Sequence, residues 1–195
     1  MHHNTCPTDQ SVQPIEAMLA PELETAHLTV RPFDMELLTE RYVSWLNDRE
    51  TVRYSEQRHR RHTIESCRQY FDTVRKSPNW ILAILLKSDG PAHIGNIGVT
   101  FDRANRTADI AILIGESAGR GQGYGKEAWS AVMAHLLGPA EIRKVTAGTM
   151  AANSAMIALA TSSGMHEEAR LKGHFLLDGR PVDCIRFARF AERQG

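Results

Sequence analysis

Glycine residues alternate along the segment GRGQGYGKEAW (119–129), which then changes abruptly into residues that favour a helix. Each glycine loses more conformational freedom on folding than any other residue, so four of them so close together need a physical reason. That reason is either a sharp turn or the close approach of another molecule to the main chain. Unpaired N–H groups at a helix start point outward and favour an anion, which glycines admit without a Cβ in the way. The segment therefore predicts a site for phosphate or pyrophosphate.

Two nucleotide-binding motifs fit this segment poorly. A Walker A loop requires Ser or Thr after its Gly-Lys pair and a glycine five positions before the last one, whereas Gly125-Lys126 is followed by Glu127 and the earlier position is not glycine. A dinucleotide fingerprint can be aligned on Gly123 and Gly125. However, the next predicted strand, 144–150, does not end in the acid that would bind the ribose hydroxyls.

Hydropathy patterns around the glycine segment predict the elements that must position it. The fold class is α/β (α+β): one domain with a central mixed sheet flanked by about four helices. The predicted strands are 27–33, 80–87, 93–102, 107–115, 144–150, 167–178 and 182–190, and the predicted helices begin after Asp34, Thr63, the glycine segment and Asn153.

A third pattern, Arg/Gln-x-x-Gly-x-Gly/Ala after a strand, matches at Arg120, Gly123 and Gly125. With it, the chain resembles the GNAT superfamily of acyl-CoA-dependent N-acyltransferases. The wider wording GRGQGYGKEA is most similar to the branch that contains ribosomal-protein N-terminal alanine acetyltransferases and spermidine or amino-sugar acetyltransferases. The resemblance extends over residues 27–190, and it is carried by the ordered segments LTVRPF, WLND, HIGNIGV, NSAMIALATSSGM and GRPVDCIRF.

This resemblance implies a GNAT domain over 27–195, a mixed, mostly antiparallel sheet that splays in the middle, and acetyl-CoA as the cosubstrate. The loop amides are expected to hold the CoA pyrophosphate, and the strand before the loop is expected to pair with the pantetheine arm. The asparagine at the start of the last helix is expected to contact that arm or to order the helix start. The predicted cofactor-binding residues are therefore Ile112, Leu113, Ile114, Arg120, Gly121, Gln122, Gly123, Tyr124, Gly125, Lys126 and Asn153.

Transfer of the acetyl group needs no protein nucleophile, because a thioester is already activated and an amine held in line attacks it directly. The ammonium form of the amine must first lose a proton, since a free alkyl amine has a pKa of roughly 10. Glu116, just after the strand, is the candidate general base, acting through water; a solvated loop carboxylate is the alternative. A backbone N–H near Ile114 is the candidate donor to the oxyanion.

Protonation of the departing thiolate has no clear source in the sequence. The resembled family often places Tyr or Ser on the helix after Asn153, whereas this chain has Met156 and Ala160 at those offsets. Ser154, Thr161 or a water molecule could substitute, or the thiolate could leave unassisted.

Three functional hypotheses follow. The first is an N-acetyltransferase that moves acetyl from acetyl-CoA to the primary amine of a small molecule, with an amino sugar among the candidates, through a ternary complex. The second has a protein N-terminal α-amine as the acceptor. The third is an acyl-CoA-binding sensor without turnover, which the missing Tyr or Ser favours. The basic loop RHRRH (58–62) could meet a phosphate-bearing acceptor or could simply be solvated.

Charge and metal-ligand spacing limit the other partners. The first 26 residues carry four acidic and no basic residues, so the rest of the chain has 23 basic against 19 acidic residues, a net charge of about +4. This charge suits an anionic small molecule but is too weak to indicate nucleic acid, which is not predicted as a partner. The cysteines and histidines show no paired ligand spacing, so no metal is predicted.

Hydropathy and cysteine usage address location. The sequence has no apolar run of eighteen or more residues and no signal-peptide pattern, so no membrane partner is predicted. Three widely separated cysteines favour reduced thiols in a cytoplasm. Residues 1–26, where proline recurs without a sustained apolar period, are predicted to be a flexible N-terminal extension. The resemblance further suggests a homodimer formed through sheet edges.

Overall fold

The computed structural model describes residues 19–87 and 92–192. In this part of the chain, one sheet contains eight strands in the order β1-β2-β3-β4-β5-β6-β8-β7. All neighbouring strands are antiparallel except the central pair, β5 and β6, which are parallel. The strands are β1 (Leu23–Glu24), β2 (Leu28–Pro32), β3 (Trp80–Leu86), β4 (Ala92–Asp102), β5 (Thr107–Ile114), β6 (Lys144–Met150), β7 (His166–Leu177) and β8 (Arg180–Phe190).

Four α-helices flank the sheet within residues 19–87 and 92–192, as the sequence predicted. Three short 3-10 helices of the same ranges, Met35–Leu37, Glu56–His59 and Ser117–Gly119, lie in the connections between elements. The α-helices are α1 (Glu40–Asn47), α2 (Ile64–Arg75), α3 (Tyr124–Leu137) and α4 (Ser154–Ser162).

Strand β3 separates two hydrophobic cores. Leu82 and Ile84 point into the larger core, which contains α3 and part of α4. Ala83 and Leu85 point the other way, into a smaller core with α1 and α2. Since successive strand residues face opposite sides, burial on both faces explains why the sequence WILAILLK is continuously apolar instead of alternating.

The sheet splays between β5 and β6. The two strands pair only over 107–109 and 144–146, although β5 continues to Ile114 and β6 to Met150. The ends of both strands therefore diverge and leave a gap in the middle of the sheet. This mixed, mostly antiparallel and splayed sheet confirms the predicted fold class.

The start of the first helix differs from the expectation. Asp34 caps the 3-10 helix Met35–Leu37 by accepting a hydrogen bond from the amide of Glu36, and α1 begins later, with Thr39 as its N-cap. The other predicted caps are confirmed, since Thr63 caps α2 through a capping box.

The end of the predicted N-terminal extension lies on the sheet, because β1 pairs with β2. Residues 1–18 lie outside the described residues, so the division of the chain at 26/27 stays a prediction.

Candidate functional site

The glycine segment forms the start of α3, and no side chain caps this helix. Gly123 is the N-cap residue, and glycine has no side chain that could accept a hydrogen bond from the first helical amides. The first helical hydrogen bond runs from the amide of Glu127 to the carbonyl of Gly123, 3.0 Å away. The amides of Tyr124, Gly125 and Lys126 therefore lie in the first turn, where N–H groups have no acceptor within the helix and face outward with the positive end of the helix dipole.

The glycines of this segment serve different purposes. Gly121 and Gly123 have φ values of +74° and +86°, which lie in the left-handed region that favours glycine. A Cβ at either position would meet no atom within 4 Å, so the space above the main chain is open. A Cβ at Gly119 or Gly125 would make only ordinary contacts, from 3.5 Å, with the side chains of neighbouring isoleucines. The loop therefore has the shape that an approaching diphosphate requires, and CoA fits these residues.

Strand β5 turns main-chain groups towards the gap in the sheet. The amides of Gly115 and Glu116 both donate to the carbonyl of Ile94, at 3.0 and 3.1 Å. This pattern makes Ile114 a non-hydrogen-bonded partner of Gly95 on β4, because the two kinds of pair alternate along an antiparallel ladder. The N–H and C=O groups of Ile114 therefore point away from β4 and into the gap. By the same alternation, the N–H and C=O groups of Ile112 also point into the gap. A site where pantetheine pairs like a strand requires this arrangement.

The guanidinium group of Arg120 holds the end of β5 in place. Its Nε donates to the carbonyl of Ile114 at 3.2 Å, and its Nη2 donates to Thr51 Oγ1 at 2.6 Å and to the carbonyl of Gly115 at 3.3 Å. The guanidinium thus ties the end of β5 to the segment after α1. Thr51 was not anticipated from the sequence, because no local pattern connects it to the glycine segment.

Glu116 lies at the end of β5, where a base for the amine was predicted. Its carboxylate accepts hydrogen bonds from both Nε and Nη2 of Arg41, the former at 2.9 Å. About a quarter of the Glu116 side chain is exposed, so water can reach the carboxylate. Arg41 also lies over the ring of Trp45, with its guanidinium carbon 5.6 Å from the centroid. Sequence reasoning missed Arg41, because only the fold brings α1 to the end of β5.

Trp45 packs directly on the main chain beside this carboxylate. A Cβ at Gly115 would lie 2.0 Å from Trp45 Cδ2, so the ring occupies the space that any other residue at 115 would need. Trp45 is buried in the smaller core. The ring therefore fixes the position of the residue immediately before Glu116.

A second polar pair lies next to Trp45. The imidazole of His93 is 5.0 Å from the Trp45 ring, and its Nε2 contacts the carbonyl of Gly95 at 3.0 Å and Asn96 Oδ1 at 2.9 Å. Both partners are acceptors, so Nε2 carries a hydrogen. Burial lowers the pKa of His93 below its ordinary value, which favours a neutral ring. The only sequence signal for this pair was an asparagine inside an otherwise apolar strand.

Asn153 orders the start of α4. Its Oδ1 accepts a hydrogen bond from the amide of Met156 at 3.2 Å, and its Nδ2 donates to Thr149 Oγ1 at 3.1 Å. This agrees with one of the two roles expected for Asn153. Met156 packs against the larger core and Ala160 is fully buried in it, so neither offers a proton to a thiolate.

Ser154 and Thr161, the two alternative proton donors on this helix, are less suited to protonating the thiolate than a tyrosine at the family's usual position would be. Ser154 is exposed, and the hydroxyl of Thr161 donates to the carbonyl of Ile157 at 2.8 Å. A water molecule remains the simplest source of this proton.

Two further features are absent from residues 19–87 and 92–192, the part of the chain that the structure describes. There, no three His, Cys, Asp or Glu side chains are close enough to form a metal site. No helix in these ranges combines the length and the apolar character needed to span a membrane.

The family of the chain follows from its sequence. Residues 27–166 match the family model of the acetyltransferase (GNAT) domain. This match covers well over half of the chain, and the protein therefore belongs to the GNAT acetyltransferase family. It is an acetyl-CoA-dependent N-acetyltransferase with acetyl-CoA as its cosubstrate, as the sequence predicted. No curated protein shows significant sequence similarity to the chain.

Solved structures share the fold at low sequence identity. Spermidine N-acetyltransferase from Vibrio cholerae, in complex with CoA and spermine, has a TM-score of 0.76 and 16% identity over 86% of this chain and 97% of that chain. RimL, a ribosomal L7/L12 alpha-N-protein acetyltransferase in complex with CoA, has a TM-score of 0.73 and 18% identity over 85% and 95%. MccE, a microcin C7 self-immunity acetyltransferase in complex with acetyl-CoA and AMP, has a TM-score of 0.71 and 17% identity over 85% and 93%.

Proposed function

We propose that the protein transfers acetyl from acetyl-CoA to the primary amine of a small molecule, by direct attack within a ternary complex. The observation that carries this proposal is the position of the uncapped start of α3 beside the open end of β5. One feature supplies outward amides for a diphosphate, and the other supplies main-chain groups that face the gap in the sheet for an extended arm. Together they would place a thioester near Glu116.

The proposed cofactor-binding residues divide by the part of CoA that they would meet. The amides of 122–126 would hold the diphosphate, and the main chain of 112–114 would pair with pantetheine. Arg120 would keep both in register, because its guanidinium links the carbonyls of Ile114 and Gly115 to Thr51. Asn153 would act indirectly, through the start of α4.

The chain's own groups then have two tasks at the reacting centre. Glu116 would accept the proton that the ammonium loses, through a water molecule, while Arg41 holds the carboxylate in place. The N–H of Ile114, which faces the gap, would donate to the oxyanion. The amine nitrogen bonds to the carbonyl carbon, the carbon–sulfur bond breaks, and the thiolate takes a proton from water.

Two other functions are supported by particular observations. A protein N-terminal amine as acceptor is supported by the shared fold of RimL, whose name gives it a protein substrate. An acyl-CoA sensor without turnover is supported by Met156 and Ala160, which place apolar groups where a proton donor is usual in the family.

Turnover of acetyl-CoA against a pool of amines separates these functions. Thiol release that depends on a small amine, with an acetylated metabolite found by mass spectrometry, supports the proposal. Acetylation of a protein N-terminus instead would show the second function. Tight binding of acetyl-CoA in calorimetry without thiol release, across the whole pool, would show the sensor.

We also propose a cytoplasmic location and a homodimer. Cys67 and Cys184 are free and buried, which suits the proposed cytoplasmic location. Strand β7 lies at the edge of the sheet and is exposed along most of its length, so its edge is available for the proposed homodimer.

A further inference from the structure

A cavity of about 180 Å³ lies between α1, the 3-10 helix Glu56–His59 and the start of α2. None of the residues of the glycine loop lines it, so it is separate from the proposed diphosphate site. Its walls combine cationic side chains with hydroxyl and aromatic groups. The residues that line the cavity include Arg60, Arg61, His62, Ser66, Tyr42 and Tyr70.

The two arginines give the cavity a net positive charge. Arg60 and Arg61 are exposed, and neither is paired with a carboxylate among the residues that the structure describes. The acids nearest to them in the sequence are Glu56, which pairs with Arg58, and Glu65, whose Oε1 accepts a hydrogen bond from Gln69. Among the residues that the structure describes, no Asp or Glu lines the cavity, so no carboxylate there neutralises the guanidinium groups.

Asn47 fixes His62 in the wall of the cavity. The side chain of Asn47 clamps the main chain of His62, because Oδ1 accepts from its amide at 2.8 Å and Nδ2 donates to its carbonyl at 2.9 Å. The main chain directly after Arg60 and Arg61 is therefore held in place.

The rest of the wall supplies a neutral hydrogen-bond donor and a favourable electrostatic field. Burial raises the pKa of Tyr70, so its phenol keeps its proton at neutral pH and can donate a hydrogen bond. Helix α2 begins at the cavity, with Thr63 as its N-cap and Ser66 in its first turn. The positive end of the helix dipole therefore adds to the attraction for an anion.

We propose that this cavity binds the phosphoryl group of a small molecule. Two guanidinium groups present planar sets of donors that match phosphate oxygens, and the phenol of Tyr70 adds a further donor. A carboxylate has only two oxygens, so it would leave more of these donors without an acceptor. The phosphoryl group belongs either to the amine acceptor itself or to a separate ligand, and both sources share this chemistry.

Calorimetric titration of inorganic phosphate into the protein saturated with CoA tests the proposal, because the diphosphate site is then occupied. We expect saturable binding that weakens by about tenfold or more in the double variant Arg60→Gln/Arg61→Gln, since charge-assisted hydrogen bonds are lost. The matched control, Arg49→Gln/Arg68→Gln, removes the same charge from exposed arginines outside the cavity and should bind as the native protein does. The single variant Arg61→Gln replaces the double variant if the latter unfolds, as judged by circular dichroism.

Equal phosphate affinity in the native protein and the cavity variant, or no saturable binding in the native protein, would overturn the proposal. The titration needs no turnover, so its outcome is independent of the proposed acceptor. A second probe, O-phosphoethanolamine, carries both an amine and a phosphoryl group. Its acetylation in a cavity-dependent manner would assign the site to the acceptor, whereas cavity-dependent binding without acetylation would assign it to a separate ligand.

Discussion

Arg41 on α1 donates from Nε to Oε2 of Glu116 at the end of β5, across 2.9 Å and 75 positions of sequence. This ion pair joins the smaller core, through Trp45, to the point where the sheet opens. It orients the one carboxylate that the sequence offered as a base. Glu116 can therefore have two roles: it can accept a proton, and it can attach α1 to β5. Substitutions of Arg41 and of Glu116 distinguish these two roles.

If Glu116 accepts the proton, Glu116→Gln should lower kcat/KM for the amine at neutral pH by about 10²- to 10⁴-fold. The loss should shrink as the pH rises towards the amine's own pKa of roughly 10, where the free amine no longer needs a base. Initial rates of thiol release over this pH range measure both effects. Glu36→Gln, which neutralises an exposed carboxylate on the first 3-10 helix, is the control.

Arg41→Gln breaks the same ion pair but leaves the carboxylate in place. Equal losses of activity in Arg41→Gln and Glu116→Gln, at every pH, would assign Glu116 to attachment alone and contradict its role as base.

Gly123→Val should weaken CoA binding by about tenfold or more, because a side chain would cover the amides that face the diphosphate. The φ of +86° adds a conformational cost of at least about 1–2 kcal/mol to the free energy of unfolding. Gly179, in the turn between β7 and β8, has a φ of +76° and equally open space. Gly179→Val should therefore show the same loss of stability with native CoA affinity, as measured by calorimetry and urea unfolding.

The CoA affinities of Gly123→Val and Gly179→Val together test whether the glycine loop binds the diphosphate. A folded Gly123→Val variant that binds CoA as tightly as Gly179→Val does would show that the diphosphate lies elsewhere.

Gly115→Ala should destabilise the protein by about 1–3 kcal/mol, since its Cβ would overlap the ring of Trp45 and force the main chain to shift. The shift would move Glu116, so activity should fall as well. Gly119→Ala is the control, because its Cβ would make ordinary contacts and should change stability by less than about 0.5 kcal/mol. Urea unfolding measures both, and a native free energy of unfolding for Gly115→Ala would refute the close packing of Trp45 on this position.

Glu127 fastens the first turn of α3 to the start of β2. Its carboxylate accepts from the amide of His27 at 2.8 Å and contacts His27 Nδ1 at 3.0 Å. Burial alone would raise the pKa of Glu127, but hydrogen bonds from Thr25 and His27 outweigh it, so the pKa lies below its usual value of 4.5. The unfolded chain therefore binds a proton first, and the stabilisation is present above pH 4.5 and disappears as the pH falls through the lower folded value.

Glu127→Gln should remove this part of the pH dependence. Free energies of unfolding measured in urea from about pH 6 to 3 should fall less steeply for Glu127→Gln than for the native protein. Glu36→Gln should retain the native slope, and an identical slope in all three proteins would contradict a protective role for the bonds to His27.

Local signals account for the parts of the structure that the sequence predicted well. Thr63 caps α2 as expected, because a capping box is formed by residues three positions apart. Asp34 shows the limit of such signals. It is a suitable cap and does cap a short 3-10 helix, but a second suitable cap, Thr39, begins α1. The choice between two adequate caps depends on how the following residues pack, which the caps themselves do not encode.

By itself, the sequence determined the fold class, the family and the place of the glycine loop between β5 and α3, because periodicity and backbone preference act over a few residues. Only the tertiary structure decided that Arg41 meets Glu116, that His27 meets Glu127, and that Asn47 fixes His62 beside the basic cavity. These contacts depend on the order of strands in the sheet and on the packing of helices against it. Such long-range packing leaves no regular spacing in the chain, so a pattern of residues cannot reveal it.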